Sequence, residues 1–180
     1  PIVGVIEAGA RAASRATKNG KVGIIGTETT VSSSAYTKAI REINAEIDTV
    51  GQSCPLFVPL VEEGWIDDDV TLAVAERYLR VLKNKGIDTL VLGCTHYPLL
   101  KGIIQKVMGE SVRLIDSAEE TASEVKEVLM GTELNSDPDR GGKVPVRRYF
   151  VTDVPRRFEE QGSRFLGERI GKVEKVILIL

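Results

Sequence analysis

Histidine, tryptophan and cysteine are scarce in this chain: one histidine, one tryptophan and two cysteines occur in 180 residues. Two cysteines cannot build a disulfide framework, and with no recognisable signal peptide a reduced, cytoplasmic location is expected. No apolar run approaches the ~20 residues that a membrane-spanning helix needs, and the tail Val176-Ile177-Leu178-Ile179-Leu180 is far shorter. Excess positive charge is missing too. A net charge of −2 and a pI near 5.6 give no electrostatic case for nucleic acid or an anionic membrane. The pairs Arg147-Arg148 and Arg156-Arg157 read as solvated surface. What remains, 42% apolar and 28% charged residues, describes a soluble globular protein with one full core or one and a half smaller ones.

Strand and helix patterns alternate along the chain. Lys21-Val22-Gly23-Ile24-Ile25-Gly26 is a short apolar run ending in glycine, followed by a Thr/Ser-rich loop and a helix-like stretch over residues 35–47. Residues 56–61 form a second strand leading into Glu62-Glu63-Gly64, and Asp67-Asp68-Asp69, acidic residues that complement the helix dipole, open a helix reaching Asn84. Lys85-Gly86 ends it. Residues 88–93 are the third strand, with Pro98 at the start of a helix, and residues 111–116 the fourth, with Ser117 and Glu120 forming a capping box for a helix to Met130. Four apolar strands separated by helices imply a three-layer α/β fold: a parallel, flavodoxin-like sheet with right-handed crossovers and helices on both faces.

Two segments fall outside that unit. Residues 131–146, rich in Gly, Pro, Asp and Asn, read as a long exposed loop before a strand at 148–152, a helix at 155–166 and a last strand at 175–178. At the other end, Pro1-Ile2-Val3-Gly4-Val5-Ile6 reads as a strand already under way where the chain begins. The expected division is therefore residues 1–10 as a strand of an incomplete first domain, 11–117 as a complete parallel domain, and 118–180 as a return to the first, a partial second α/β unit. Missing strands would leave open edges, so self-association or disorder of the terminal segments is expected.

In a parallel sheet the ligand site gathers at the carboxyl ends of the strands. There the chain places Glu7, Thr27, Thr30, Glu62 and the run Leu92-Gly93-Cys94-Thr95-His96-Tyr97-Pro98, with the only histidine two residues from a cysteine. A neighbouring imidazolium, a hydroxyl donor or free loop amides all favour thiolate over thiol, so Cys94 is a candidate nucleophile, ligand or base. Taken alone, a Cys-x-His is more often a small buried thiol beside a satisfied loop histidine, and Thr27 and Thr30 serve equally well as loop and cap residues. On spacing alone Glu62 reads as a solvated loop acid.

Four segments carry more than composition does. Val5-Ile6-Glu7-Ala8-Gly9-Ala10-Arg11-Ala12-Ala13, Ile25-Gly26-Thr27-x-x-Thr30-Val31-x-Ser33-x-x-Tyr36, Pro59-Leu60-Val61-Glu62-Glu63-Gly64 and Gly93-Cys94-Thr95-His96-Tyr97-Pro98-Leu99-Leu100 resemble, in order and spacing, the later two-thirds of glutamate racemases of the aspartate/glutamate racemase superfamily. Val173-Glu174-Lys175-Val176 resembles the end of that family. The resemblance implies a cofactor-independent and metal-free isomerase that interconverts L- and D-glutamate for bacterial peptidoglycan. In that family two α/β domains face each other across a cleft, each giving one cysteine, so that one thiolate removes the α-proton and the other thiol delivers a proton to the opposite face. By this resemblance Cys94 is the second catalytic cysteine, His96 the histidine that assists it, and Glu62 a carboxylate assisting protonation. Thr95, Thr27 and Thr30 are substrate contacts. The implied partner is a small amino acid, glutamate, and a homo-oligomer is expected. Aspartate racemases resemble the fold but tend to carry glutamate at the position of His96, which favours glutamate as substrate.

The departures matter as much. Nothing resembles that family's amino-terminal Asp-Ser-Gly turn, its Pro-Tyr-Gly loop or the Cys-Asn-Thr segment with the first catalytic cysteine. Cys54, read as preceding its strand, is expected at the opposite sheet edge from Cys94 and in a structural role. Ala8 replaces a usual proline and Thr29 a loop glycine, which requires a negative φ at residue 29. Two main readings result: most of a glutamate racemase, inactive alone, or a stand-alone, non-catalytic module binding a small ligand or protein. An aspartate or other amino-acid racemase is the alternative within the superfamily. A Cys-His hydrolase ranks below these, since two residues of one loop rarely face each other and no orienting third group is evident.

Overall fold

The structure, a computed structural model, describes residues 2–132 and 146–178. The chain separates into two compact units, Pro1–Asn135 and Ser136–Leu180. The first runs α1 (Val5–Ala16), β1 (Lys21–Gly26), α2 (Glu28–Ser32), α3 (Ala35–Ile43), β2 (Asp48–Ser53), α4 (Phe57–Glu63), α5 (Asp69–Asn84) and β3 (Thr89–Leu92). A 3-10 turn (Tyr97–Leu100), α6 (Lys101–Met108), β4 (Arg113–Asp116) and α7 (Ser117–Met130) complete it.

The four strands form one parallel sheet in the order β2-β1-β3-β4. Side chains alternate between its faces. Val22, Ile24 and Val91 pack with Ala10 and Ala13 of α1 and with Tyr36 and Ile40 of α3. Ile25, Leu90 and Leu92 pack on the other face with Phe57 and Val61 of α4, Leu79 and Leu82 of α5, and Ile104 and Met108 of α6. Burial on both faces is why β1 and β3 read as unbroken apolar runs.

Strand order and helix placement together fix the position of the site. From β1 the chain steps one way to β2 through α3, then crosses back through α4 and α5 to β3 and through α6 to β4. Right-handed crossovers require a change of face where the direction of travel reverses, and the two helix sets do lie on opposite faces. The reversal leaves a crevice beyond the carboxyl ends of β1 and β3.

Several expectations need correction. Residues 5–10 are helical, not strand: Ala8, Gly9, Ala10, Ala12 and Ala13 form a small buried stripe on α1, and alanine favours helix, while Ile2 lies fully exposed. The run 56–61, expected as a strand, is helix from Phe57 onward. Its length suits either state, but Phe57 and Val61, four apart, turn together into the core. The strand lies earlier, at Asp48–Ser53, and is partly exposed and polar because it pairs on one side only, with β1. The Thr/Ser loop contains the short helix α2, α3 stops at Ile43 rather than residue 47, and β4 starts at Arg113. Thr29 is helical and needs no left-handed backbone; among the described non-glycine residues that conformation falls to Ser34, at φ 55°. The cap of α7 is Asp116, whose carboxylate accepts from the amides of Ala118 and Glu119, while Ser117 turns inward.

The expected domain boundary near residue 117 meets a continuous packing arrangement. Arg11 pairs with Glu124, and Arg15 with Glu120 at 3.8 Å, so α7 lies along α1 inside the first unit. The second unit holds β5 (Tyr149–Val151), α8 (Pro155–Leu166) and β6 (Val173–Lys175), the two strands pairing in parallel. Helix α8 occupies the residues expected; the last strand begins at Val173 and ends at Lys175 rather than covering 175–178. Most of the expected long loop, residues 133–145, lies outside the described residues. No helix among the described residues is long and apolar enough to cross a membrane.

Candidate active site

Beyond β3 the chain must leave the sheet at once, and Gly93 makes that possible. Its amide donates to the Ile25 carbonyl at 2.8 Å, and a Cβ there would lie 2.8 Å from that oxygen and 3.1 Å from the Tyr36 ring. Cys94 comes next, half-buried at the crevice. The backbone amides of His96, Tyr97 and Thr95 lie around its sulfur, and the Tyr97 amide donates to the Cys94 carbonyl at 3.1 Å. Burial raises the thiol above its ordinary pKa, and the three amides act against that rise by favouring thiolate.

The imidazole of His96 sits between two groups. Its Nε2 is 3.5 Å from Glu62 Oε1, and its Nδ1 is 3.3 Å from Thr95 Oγ1. Glu62 reaches it from the last turn of α4, not from the end of a strand as expected. The structure thus brings Cys94, Thr95, His96 and Glu62 together.

Thr27 and Thr30 lie at the end of the adjacent strand. Thr27 caps α2: its hydroxyl accepts from the Thr30 amide at 3.3 Å and lies 3.0 Å from the Thr30 hydroxyl. A Cβ on Gly93 would come within 3.6 Å of Thr30 Cγ2, so this hydroxyl pair borders the Cys94 turn. Of the roles considered for these threonines, cap and substrate contact, the cap is the one their hydrogen bonds display. Glu7 lies in the first turn of α1 and, contrary to expectation, does not come after a strand.

Cys54 is the largest relocation. Because β2 precedes it, Cys54 stands at the same carboxyl edge as Cys94. It is nonetheless sealed: fully buried, with its Sγ 3.7 Å from the Gln52 carbonyl, and burial pushes its pKa up to about 12.

A cavity of about 90 Å³ opens beside Cys94, lined by Val5, Tyr36, Gly93, Thr95, Pro98, Asp116 and Ser117 among others. Tyr36, Asp116 and Ser117 were not singled out as site residues from the sequence. The Tyr36 hydroxyl lies 2.9 Å from Ser117 Oγ, which donates in turn to the Leu92 carbonyl at 3.3 Å. Burial raises the Tyr36 pKa. Gly9 admits this pair, since a Cβ there would lie 2.9 Å from Ser117 Oγ and 3.1 Å from the Tyr36 ring. Lys101 bridges Asp116 and Glu119 at 2.7 Å each. The inward serine could have been suspected from its place directly after a buried strand; its tyrosine partner, 81 residues earlier in the chain, could not. Among the described residues no group of three His, Cys, Asp or Glu side chains is placed to hold a metal ion.

Comparison with known proteins gives the family and the fold. Residues 1–125 match the Asp/Glu/Hydantoin racemase family. A glutamate racemase of Geobacter metallireducens is 54% identical over 178 residues, covering 99% of this chain and 65% of its own length. Among solved structures, glutamate racemase isoform RacE1 from Bacillus anthracis superposes with a TM-score of 0.90 at 40% identity, covering 99% of this chain and 65% of its own. Glutamate racemase from Francisella tularensis, solved in complex with D-glutamate, gives a TM-score of 0.87 at 33% identity, over 98% of this chain and 64% of its own. The chain therefore spans about 65% of the length of the curated relatives it matches. With a family match over most of its residues and a thiol turn at the sheet's reversal point, this chain belongs to the Asp/Glu/Hydantoin racemase family.

Proposed function

We propose that this chain is the greater part of a glutamate racemase, carrying one of the two bases that invert the α-carbon, and that the other base lies on residues outside this chain. The observation that carries the reading is the Cys94 turn: a thiol at the crevice, three amides on its sulfur, and His96 beside it facing Glu62.

The chemistry depends on that arrangement. The α-proton of an amino acid is very weakly acidic, so it must meet a base already positioned against it. In one direction the Cys94 thiolate, held by the amides of residues 95–97, takes the proton; in the other the thiol returns one to the same face. His96, with Glu62 behind it, supports proton movement at that face. Thr27, Thr30 and Thr95 supply hydroxyl donors for a substrate carboxylate. Inversion needs a second acid or base on the opposite face, and Cys54 does not supply it because its sulfur is sealed in the core. The cavity supports the same division. About 90 Å³ holds about three waters, less than an amino acid with a side chain of several carbons, so the rest of the enclosure comes from elsewhere.

The proposed substrate is glutamate, without metal or cofactor, and the product D-glutamate serves peptidoglycan synthesis in the cytoplasm. The 180 residues alone are expected to be inert. The test extends the chain with the portion its relatives carry and offers L-glutamate and L-aspartate separately, monitoring optical rotation. Glutamate is expected to racemise and aspartate to remain; inversion of aspartate alone would overturn the assignment.

A further inference from the structure

Tyr97 joins the Cys94 turn to the rest of the carboxyl edge in a way that the proposed function leaves unused. Of residues 93–99 it alone is buried, at 0% exposure. Its hydroxyl donates to the Cys54 carbonyl at 2.9 Å. That same carbonyl accepts the Phe57 amide at 3.1 Å, and the Cys54 amide donates to the Gly26 carbonyl at 2.9 Å. The Tyr97 ring meets Phe57 edge-on, 5.2 Å between centroids at 86°. At its backbone, the Tyr97 amide lies 3.1 Å from the Cys94 carbonyl and also faces the Cys94 sulfur. One residue thus ties the end of β3 to the end of β2 and, through Cys54, to Gly26 beside Thr27.

We propose that Tyr97 is a positioning residue: its hydroxyl, anchored on the Cys54 carbonyl, holds the turn whose amides face the Cys94 sulfur, and couples that turn to the Thr27–Thr30 turn. The role of Cys54 is then carried by its backbone, and its thiol is a bystander. The physical argument is one of leverage. Thr95 is exposed and Cys94, His96 and Pro98 are only partly buried, so the turn is anchored in the core chiefly through Tyr97 and Leu100, and of these two Tyr97 alone carries a side-chain hydrogen bond, to the end of β2. Amides that hydrogen-bond the charged form of a group favour it only while they stay aimed. Loss of the hydroxyl leaves the ring in place and the Cys54 carbonyl still bonded to Phe57, so the fold survives while the turn loosens.

The inference rests on the proposed role of Cys94, but its test needs no turnover. Alkylation of the intact 180-residue chain by iodoacetamide is measured against pH, with Cys94→Ser as the blank. Tyr97→Phe is expected to raise the midpoint of the rate profile by on the order of half a pH unit. Tyr78→Phe, which alters the other ring packed on Phe57, should leave the midpoint in place. A Tyr97→Phe profile that superimposes on the parent, or an equal shift from Tyr78→Phe, would overturn the proposal. If Tyr97→Phe does not fold, Phe57→Leu, which keeps the hydroxyl and removes its supporting ring, should raise the midpoint less but in the same direction; no rise would refute it. Should the extended protein fail to racemise glutamate while the midpoint shifts, the reaction assignment fails and the positioning role stands; an unmoved midpoint with intact racemisation sinks only the latter.

Discussion

Cys94 and Cys54 are two thiols at the ends of parallel strands on one edge of one sheet, and they are not equivalent chemically. Cys94 comes after β3, is half-buried, and has three amides turned toward its sulfur. Cys54 comes after β2, is fully buried, and burial alone pushes its pKa up to about 12. The difference lies in the path of the chain beyond each cysteine. After Cys94 it makes a tight 3-10 turn that aims amides at the sulfur; after Cys54 it enters α4, and Phe57 and Tyr97 close over the position. Location at a strand end therefore does not set a thiol's chemistry: at Cys94 the turn's amides offset part of the rise that burial causes, whereas at Cys54 burial acts unopposed.

That contrast can be broken or sharpened experimentally. The largest effect is expected from Phe57→Ala. Removing a fully buried ring that touches both turns should cost about 3–5 kcal/mol in urea unfolding and open Cys54 to reagent. Next is the reactivity gap in the unaltered chain. Peptide mapping after brief iodoacetamide treatment should find Cys54 labelled at least about a hundredfold more slowly than Cys94, because Cys54 reacts only through local opening.

A smaller effect appears in pH dependence. An unfolded cysteine ionises at ~8.5, while folded Cys54 holds its proton to about 12. Below the unfolded value both states are protonated and the group contributes nothing to the slope. Above it the unfolded state binds fewer protons, so stability should fall by up to ~1.4 kcal/mol per pH unit as pH rises toward the folded value. Urea midpoints between about pH 8 and 10, bracketing the unfolded ionisation, should show a steeper decline in the parent than in Cys54→Ala. The smallest effect is at the neighbouring turn: Thr27→Ala removes the cap of α2 and should cost about 1 kcal/mol in urea unfolding.

Much of this architecture could be read in advance where burial is symmetric. Strands β1 and β3 are covered on both faces, so their sequences carry the signal, and α8 opens at Pro155 and closes before Gly167 as its sequence suggests. Legibility failed where partners decide. Strand β2 is polar and exists because it pairs with β1, whereas the apolar run 56–61 owes its helical state to Phe57 and Val61 facing a core that no local pattern displays. One misplaced strand moved Cys54 to the wrong edge and hid the bond from Tyr97. At the site, Cys94, Thr95 and His96 were legible as a motif, and Glu62 only through family resemblance, because its approach to His96 is tertiary. Tyr36 and Ser117 meet only in the fold.

The most direct measurement uses the chain extended by the portion its relatives carry, incubated with L-glutamate in deuterated buffer. Proton NMR at the α-carbon and chiral separation are read together for the parent and for Cys94→Ala. The account expects D-glutamate carrying α-deuterium from the parent and no inversion from Cys94→Ala. Inversion retained by Cys94→Ala would contradict it, because the thiol at the end of β3 would then not be one of the two bases.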